Sequence, residues 1–422
     1  MSSTRAFVSF AVCSGFALAS ASGLAAHVVV VGTGDPKLDV PAVQAAVDQG
    51  GHVVLRGHFS FDAPPTIVPE IPGLPKATVR VSREVTISGA DDDGDGMATI
   101  ERGQVPFEVE AHGASVIIRR LHFLDPKIGA IHVSAVSGLT VASCRIEGVE
   151  PGSPIGNTAI GINTSSNVPT PAAPGAPERI SGRLSIVDND IELGPASSAD
   201  NNLGIVLFGA GVPGAEIDAQ IRGNRISNVT EPGINLRYVV GHVDIERNRV
   251  STAEVTGPSA GAFVEAIRVV NTGSYRIAHN FVECRWSLGF GIGVFSQVGV
   301  WPEEQAVVTG NHIVMSPPEG AVLGQNSAGI NIRGFARGNL VFANTISGYA
   351  RNALSILSFP LPPAQTGVPA NNAFVLNRLE GFSAAGADIL VGDQVLDTLI
   401  IGEGLVEDHG QGTITLTVPA RR

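Results

Sequence analysis

Lysine stands at only three positions of the 422-residue chain, 37, 76 and 127, and Trp, Tyr and Met are at least as scarce. With 27 Lys and Arg against 39 Asp and Glu, the formal charge is -12, so the basic footprint that a phosphate backbone selects is missing and nucleic acid is excluded as a partner. Charged residues make up only 16% and apolar ones 44%, a composition too apolar for disorder. With 51 glycines and few aromatics, the chain reads as short strands joined by tight turns.

Beyond the N terminus no apolar run is long enough to cross a membrane. Residues 1–26 carry Arg5, the apolar stretch AFVSFAVCSGFALA and then small residues ending near Ala25, the pattern of a secretory signal peptide. That predicts a secreted, periplasmic or extracellular protein, with residues 27–422 as one domain. Cleavage removes Cys13 and leaves Cys144 and Cys284.

The chain repeats itself. VDNDIEL (187–193), RGNRISN (222–228), ERNRVST (246–252), AHNFVEC (278–284), TGNHIVM (309–315), FANTISG (342–348) and VLNRLEG (375–381) each place an apolar residue two after an Asn. ASCRIEG with Cys144, and RRLHFLD with Leu121, extend the register backward to nine rungs. A second motif follows each one: Ala130-Ile131, Gly161-Ile162, Gly204-Ile205, Gly233-Ile234, Ala266-Ile267, Gly291-Ile292, Gly329-Ile330, Ala353-Leu354 and Gly386-Ala387. The pattern predicts an all-β fold, a single-stranded right-handed parallel β-helix with three short strands per turn. The Asn column reads as a structural ladder whose residues take a left-handed bend. Irregular spacing between rungs excludes the fixed-period solenoids. Cys144 and Cys284 lie four rungs apart, roughly 19 Å at the spacing of paired strands, too far for a disulfide.

At the start, DVPAVQAAVDQGGHVVLRGHF (39–59) reads as a short capping helix over about 39–49, a Gly-Gly turn and a first strand, with coils over about 52–402 and a C-terminal strand segment over 403–422. Helix, GGxVVLxxG and Asn-marked turns together resemble the pectate-lyase-like superfamily of β-helix proteins, from about residue 38 to 402. The resemblance implies fold far more than activity, since the superfamily holds polysaccharide lyases, hydrolases, esterases, epimerases, tailspikes and non-catalytic surface proteins. It also implies that the outer face of the Gly-Ile strand takes the substrate.

Strand alternation gives an outward column of His132, Asn163, Val206, Asn235, Arg268, Gly293, Asn331, Ser355 and Asp388, and a second containing Phe208, Arg237, Val270, Phe295, Arg333 and Leu357. Before the terminal Asp388 this strip has no carboxylate. Three Arg on so acidic a chain suit bidentate capture of a uronate or sulfate, so the expected partner is an acidic polysaccharide. Asn163, Asn235, Asn331 and Arg333 would bind it by polar contacts, and Phe208, Phe295, Phe290 and Trp301 by stacking. A hydrolase needs two carboxylates and is disfavoured. A uronate lyase or epimerase fits better, with Arg237 or Arg268 neutralising charge or acting as base and Tyr238 or His242 donating a proton. The competing readings are that each Arg pairs with a loop carboxylate such as Glu231, Glu265 or Glu319, and that the protein binds glycans without catalysis.

On the opposite side, Arg145, Asp190, Arg225, Arg249, His312 and Arg378 alternate with Glu147, Glu192, Glu283 and Glu380, a solvated ion-pair lattice. DDDGDG (91–96) matches the first half of a calcium loop through Asp91, Asp93 and Asp95, but Arg102 stands where the bidentate Glu belongs. An Asp-Gly turn is the simpler reading, and no other cofactor is expected. Long Pro-rich segments over 164–182 and 358–372 leave the Gly-Ile strand and flank the groove.

Overall fold

The computed structural model describes residues 27–68, 76–90, 96–149, 157–163, 179–194, 202–254, 265–286, 289–297, 306–317, 327–348, 351–361, 365–381 and 387–418. The leader expected over residues 1–26, the Asp91, Asp93 and Asp95 cluster, Trp301 and Glu319 lie outside them. The protein is a right-handed parallel β-helix. One 22-stranded and one 11-stranded parallel sheet wrap a single apolar column, and among the described residues the strands Phe359–Leu361 and Gln365–Gly367 form a separate antiparallel pair.

The residues two after the ladder position form that column. Phe123, Ile146, Ile191, Ile226, Val250, Val282, Ile313 and Ile346 are all fully or almost fully buried, as are Ile118, Val141, Ile186, Ile221, Ile245, Ile277, Val308, Val341 and Phe374 three before it. Each rung buries the apolar residues of its neighbours, so stability is shared between adjacent rungs. The short-strand sheet begins two rungs before the Leu121 rung, at His58–Ser60 and Ala98–Glu101.

Asn189, Asn224, Asn248, Asn280, Asn311, Asn344 and Asn377 stack with each Nδ2 donating to the next Oδ1 at 2.9–3.0 Å. The left-handed conformation falls not on these Asn but on the residue before: Asp188, Gly223, Arg247, His279, Gly310, Ala343 and Leu376 all have positive φ. The Asn column is therefore selected by hydrogen bonding rather than by backbone tolerance. At its head the backbone N–H of Cys144 donates to Asn189 Oδ1 at 3.0 Å. Cys144 and Cys284 are both buried and free.

The helix spans Pro36–Val47, three residues earlier than the sequence predicts, because Asp35 caps it by accepting from the Lys37 N–H and Pro36 takes the first turn. Val43, Ala46 and Val47 plug the open end of the core. A strand ahead of the helix, His27–Val31, pairs with Gly51–Arg56 and makes the first edge. At the other end the strands Val406–Asp408 and Ile414–Thr417 add to Ile389–Val391 and Leu399–Gly402, so the stacking continues beyond residue 402. Among the described residues no helix is long and apolar enough to cross a membrane.

Candidate functional site

Pairing between neighbouring strands fixes the groove face. Its first column is His132, Gly161, Val206, Asn235, Arg268, Gly293, Asn331, Ser355 and Leu390. Two of the expected positions move. Asn163 pairs with Phe208 and belongs to the second column, because Ile160 rather than Ile162 aligns with Ile205. Asp388 is replaced by Leu390, since Ile389 aligns with Leu354, and the Asp388 carboxylate instead accepts from the Leu405 N–H at 2.8 Å.

The strip is not free of carboxylates. Glu265, at the start of the Glu265–Ala278 strand, is fully buried between two of the three arginines. Its Oε2 accepts from Arg268 Nε at 2.6 Å, and its Oε1 is bridged by Arg333 Nη2. Glu265 escapes simple alternation because the small residue before each Ile also faces the core: Ala266 and Ala353 are fully buried, and a Cβ on Gly291 or Gly329 would strike Ile313 or Ile346. Two consecutive inward residues restart the parity, so the residue ahead of them turns outward. Counting back from Ala266 instead of Ile267 would have found Glu265.

Room for that side chain comes from the next rung. A Cβ on Gly293 would lie 2.6 Å from Glu265 Cγ and 2.9 Å from Oε1. Glu265 therefore lies across bare backbone and reaches Arg333, two rungs from its own strand. The Arg333 guanidinium is also enclosed by rings, with Cζ 5.2 Å from the Phe290 centroid, 5.0 Å from Phe295 and 5.8 Å from Phe359 of the hairpin. Burial pushes its pKa down, and the charge of Glu265 only partly restores it. Burial also opposes the charge of Arg268, but Glu265 and Glu231 outweigh it and raise its pKa.

Glu231 stands just ahead of the Ile234–Glu246 strand, its side chain 13% exposed and Oε2 3.6 Å from Arg268 Nη1. Burial holds its carboxyl above the ordinary glutamate range, and Glu265 adds to that, although Arg268 and Arg237 pull the other way. Arg237 differs from its two neighbours. Among the described residues it has no carboxylate within ion-pair distance, its Nε is buried without a hydrogen-bond partner, and its Cζ sits 5.3 Å from the Phe208 ring and 5.6 Å from Tyr238. Tyr238 has positive φ, packs edge-on against Phe208 and donates its hydroxyl to Gln297 Oε1 at 2.6 Å.

The structure thus brings Arg237, Arg268, Tyr238, Phe208, Asn235, Phe295, Asn331 and Arg333 onto one face. His242 is not among them. Between Tyr238 and Gly241 the strand bends, and His242 joins the neighbouring face, where it meets Ser274 at 3.0 Å and Asp244 at 3.6 Å. Arg268 is engaged by two carboxylates, Glu265 and Glu231. Asn331 is fully buried and donates to Ser355 Oγ at 2.7 Å, while its Oδ1 and that of Asn235 have no hydrogen-bond partner among the described residues.

A second polar group lies on the same face toward the N terminus. Fully buried Glu108 meets His132 Nδ1 at 3.0 Å and accepts from Ser134 Oγ at 2.5 Å. No cluster of three or more metal-ligating side chains occurs among the described residues.

No family model matches the sequence, and no curated protein does. Solved structures similar to it include the DFA-IIIase of Arthrobacter chlorophenolicus A6 in complex with GF2, at 14% identity and a TM-score of 0.49, covering 91% of this chain and 93% of that one. A mutant tailspike protein of E. coli bacteriophage HK620 in complex with a pentasaccharide is 11% identical at a TM-score of 0.48, covering 88% and 69%. The enzymatically active domain of tailspike protein 2 of bacteriophage CBA120 is 12% identical at a TM-score of 0.46; the match covers 86% of this chain but only 44% of that domain.

Proposed function

We propose that this is an exported protein that takes an acidic polysaccharide along the groove face, and that it acts on the chain as a lyase or epimerase. The observation that carries the reading is the pairing of unlike neighbours: Arg237, a cation with no carboxylate at ion-pair distance among the described residues, beside Glu231, a carboxyl held above its usual range. Arg237 would hold the anionic group of a sugar by a bidentate contact. That contact draws charge from the carboxylate and makes the neighbouring C–H more acidic. Glu231, more basic than an ordinary glutamate, would take that proton or return it.

Glu265 supports the choice of chemistry. Both its oxygens are engaged by arginines and none of its surface is exposed, so it cannot act as a hydrolytic base or nucleophile. Among the described residues that leaves Glu231 as the single available carboxyl beside Arg237, whereas glycoside hydrolysis uses two. Glu265 instead acts as a positioning residue that fixes Arg268 against Glu231. A non-catalytic glycan-binding role is favoured by one observation, the burial of Arg333 inside its ring enclosure, which makes that part of the face a rigid wall.

The test is incubation with a panel of uronate polymers, following new double bonds by ultraviolet absorbance and stereochemistry by NMR. Turnover that falls about 10²- to 10⁴-fold in Glu231→Gln while binding persists supports the reading. Binding without turnover in the wild type moves the protein to the non-catalytic reading. No binding to any acidic polymer removes the groove from the account.

A further inference from the structure

His132 occupies the first groove column four rungs before Arg268 and three before the Asn235 rung that carries Arg237. At the spacing of paired strands, that is roughly 14 Å from Arg237 along the axis. Its Nδ1 is held at 3.0 Å by Glu108, a carboxylate with no exposed surface whose other oxygen is occupied by Ser134. A carboxylate on Nδ1 fixes the tautomer with the proton there and leaves Nε2 as an acceptor. Among the described residues Nε2 has no hydrogen bond.

The next rung is shaped around that atom. Gly161 follows His132 in the column, and a Cβ placed on it would lie 3.1 Å from His132 Cδ2 and 3.5 Å from Nε2. Any side chain there would cover the ring nitrogen. Between this notch and Arg237 the floor is apolar, formed by Val206 and Phe208. An oriented acceptor, an apolar floor and an unpaired cation in one line match what a chain of sugars presents: hydroxyl groups, C–H faces and an anionic group.

We infer that His132 is a distal glycan subsite, its Nε2 accepting a hydroxyl hydrogen from a sugar several units away from the one held by Arg237. The ligand is then an extended polymer rather than a short oligosaccharide. The inference rests on the assignment of Arg237 to an acidic glycan and extends it.

Calorimetric titration of the full chain with uronate oligosaccharides from disaccharide to octasaccharide tests it, together with NMR of the histidine ring signals, that of His132 being identified by its loss in His132→Gln. Affinity should rise with length, and the His132 ring signal should move only with the longer ligands. Gly161→Ala, which keeps His132 and has no positive φ to strain it, should weaken long ligands about tenfold, the worth of one hydrogen bond, and leave short ones unchanged. If Arg237→Ala abolishes binding but affinity is independent of length, or the His132 signal stays still, the subsite is wrong and the Arg237 reading stands. If no acidic oligosaccharide binds at any length, both are wrong.

Discussion

Gly293 and Glu265 occupy a single volume: the Cβ that Gly293 lacks would fall 2.6 Å from Glu265 Cγ. Gly293 has no positive φ, so its selection here is steric and not conformational. Gly293→Ala should displace Glu265 and break its bridge to Arg333, at a cost of about 1–3 kcal/mol of stability. Chemical denaturation measures the cost. In the Glu265→Ala background, which removes the Cγ that the new Cβ would strike, the same substitution should cost much less, and additive costs would show that the two residues are independent.

Glu265→Gln should be the more damaging single change. It leaves Arg268 and Arg333 buried with less opposing charge, and breaking one partner out of such a group costs about 3–5 kcal/mol. Replacing Arg333 by Met, which retains the Glu265–Arg268 pair and the ring contacts, should cost less than Glu265→Gln. A thermal melt of the two variants ranks them, and the reverse order would argue that the attraction of the Arg333 cation to its rings, which Met lacks, outweighs the ion pair.

Raised pKa and stability are linked at Glu231. A carboxyl that holds its proton more tightly when folded stabilises the fold below the unfolded glutamate value, and the contribution is lost as pH rises through the folded value. The wild type should therefore lose stability relative to Glu231→Gln as pH rises from acid toward neutral. Denaturation of both proteins across that range gives the difference curve. A flat difference would mean that Glu231 ionises as an ordinary glutamate.

Cys144 and Cys284 should be inert in the native protein. Burial pushes the Cys144 thiol up to about 12 and the Cys284 thiol up to about 11, so neither supplies thiolate at neutral pH. Alkylation followed by peptide mapping should find both unlabelled until the protein is denatured. Native labelling of either would indicate local opening of its rung.

The architecture was legible because a solenoid writes its core into the sequence once per rung: the Asn column and the apolar residues flanking it needed only to be aligned. Alignment failed where two inward residues come in succession. That irregularity hid Glu265 on the groove face, whereas Asn163 and Asp388 were each misplaced by two residues because Ile160 and Ile389, not Ile162 and Ala387, align with the neighbouring rungs. His242 was misread for a related reason, since the bend at Tyr238 and Gly241 changes face without leaving the strand. The arginines were found by alternation alone. Glu265 lies three residues before Arg268 on the same strand and was among the carboxylates expected to pair with it, but its bridge to Arg333 and the approach of Glu231 to Arg268 join separate rungs that no local pattern connects.

The reach of Glu265 has a consequence for descent. A parallel β-helix lengthens or shortens by gaining or losing a turn, and across most of this chain such a change would leave every neighbour relation intact. Between the strands Glu265–Ala278 and Ala328–Gly334 it would not, because one added turn carries Arg333 out of range of the carboxylate and one lost turn removes the gap at Gly293 that the carboxylate crosses. Related chains of different length are expected to have changed their turn number elsewhere, leaving this three-strand block as the fixed unit against which the rest of the coil has been free to grow.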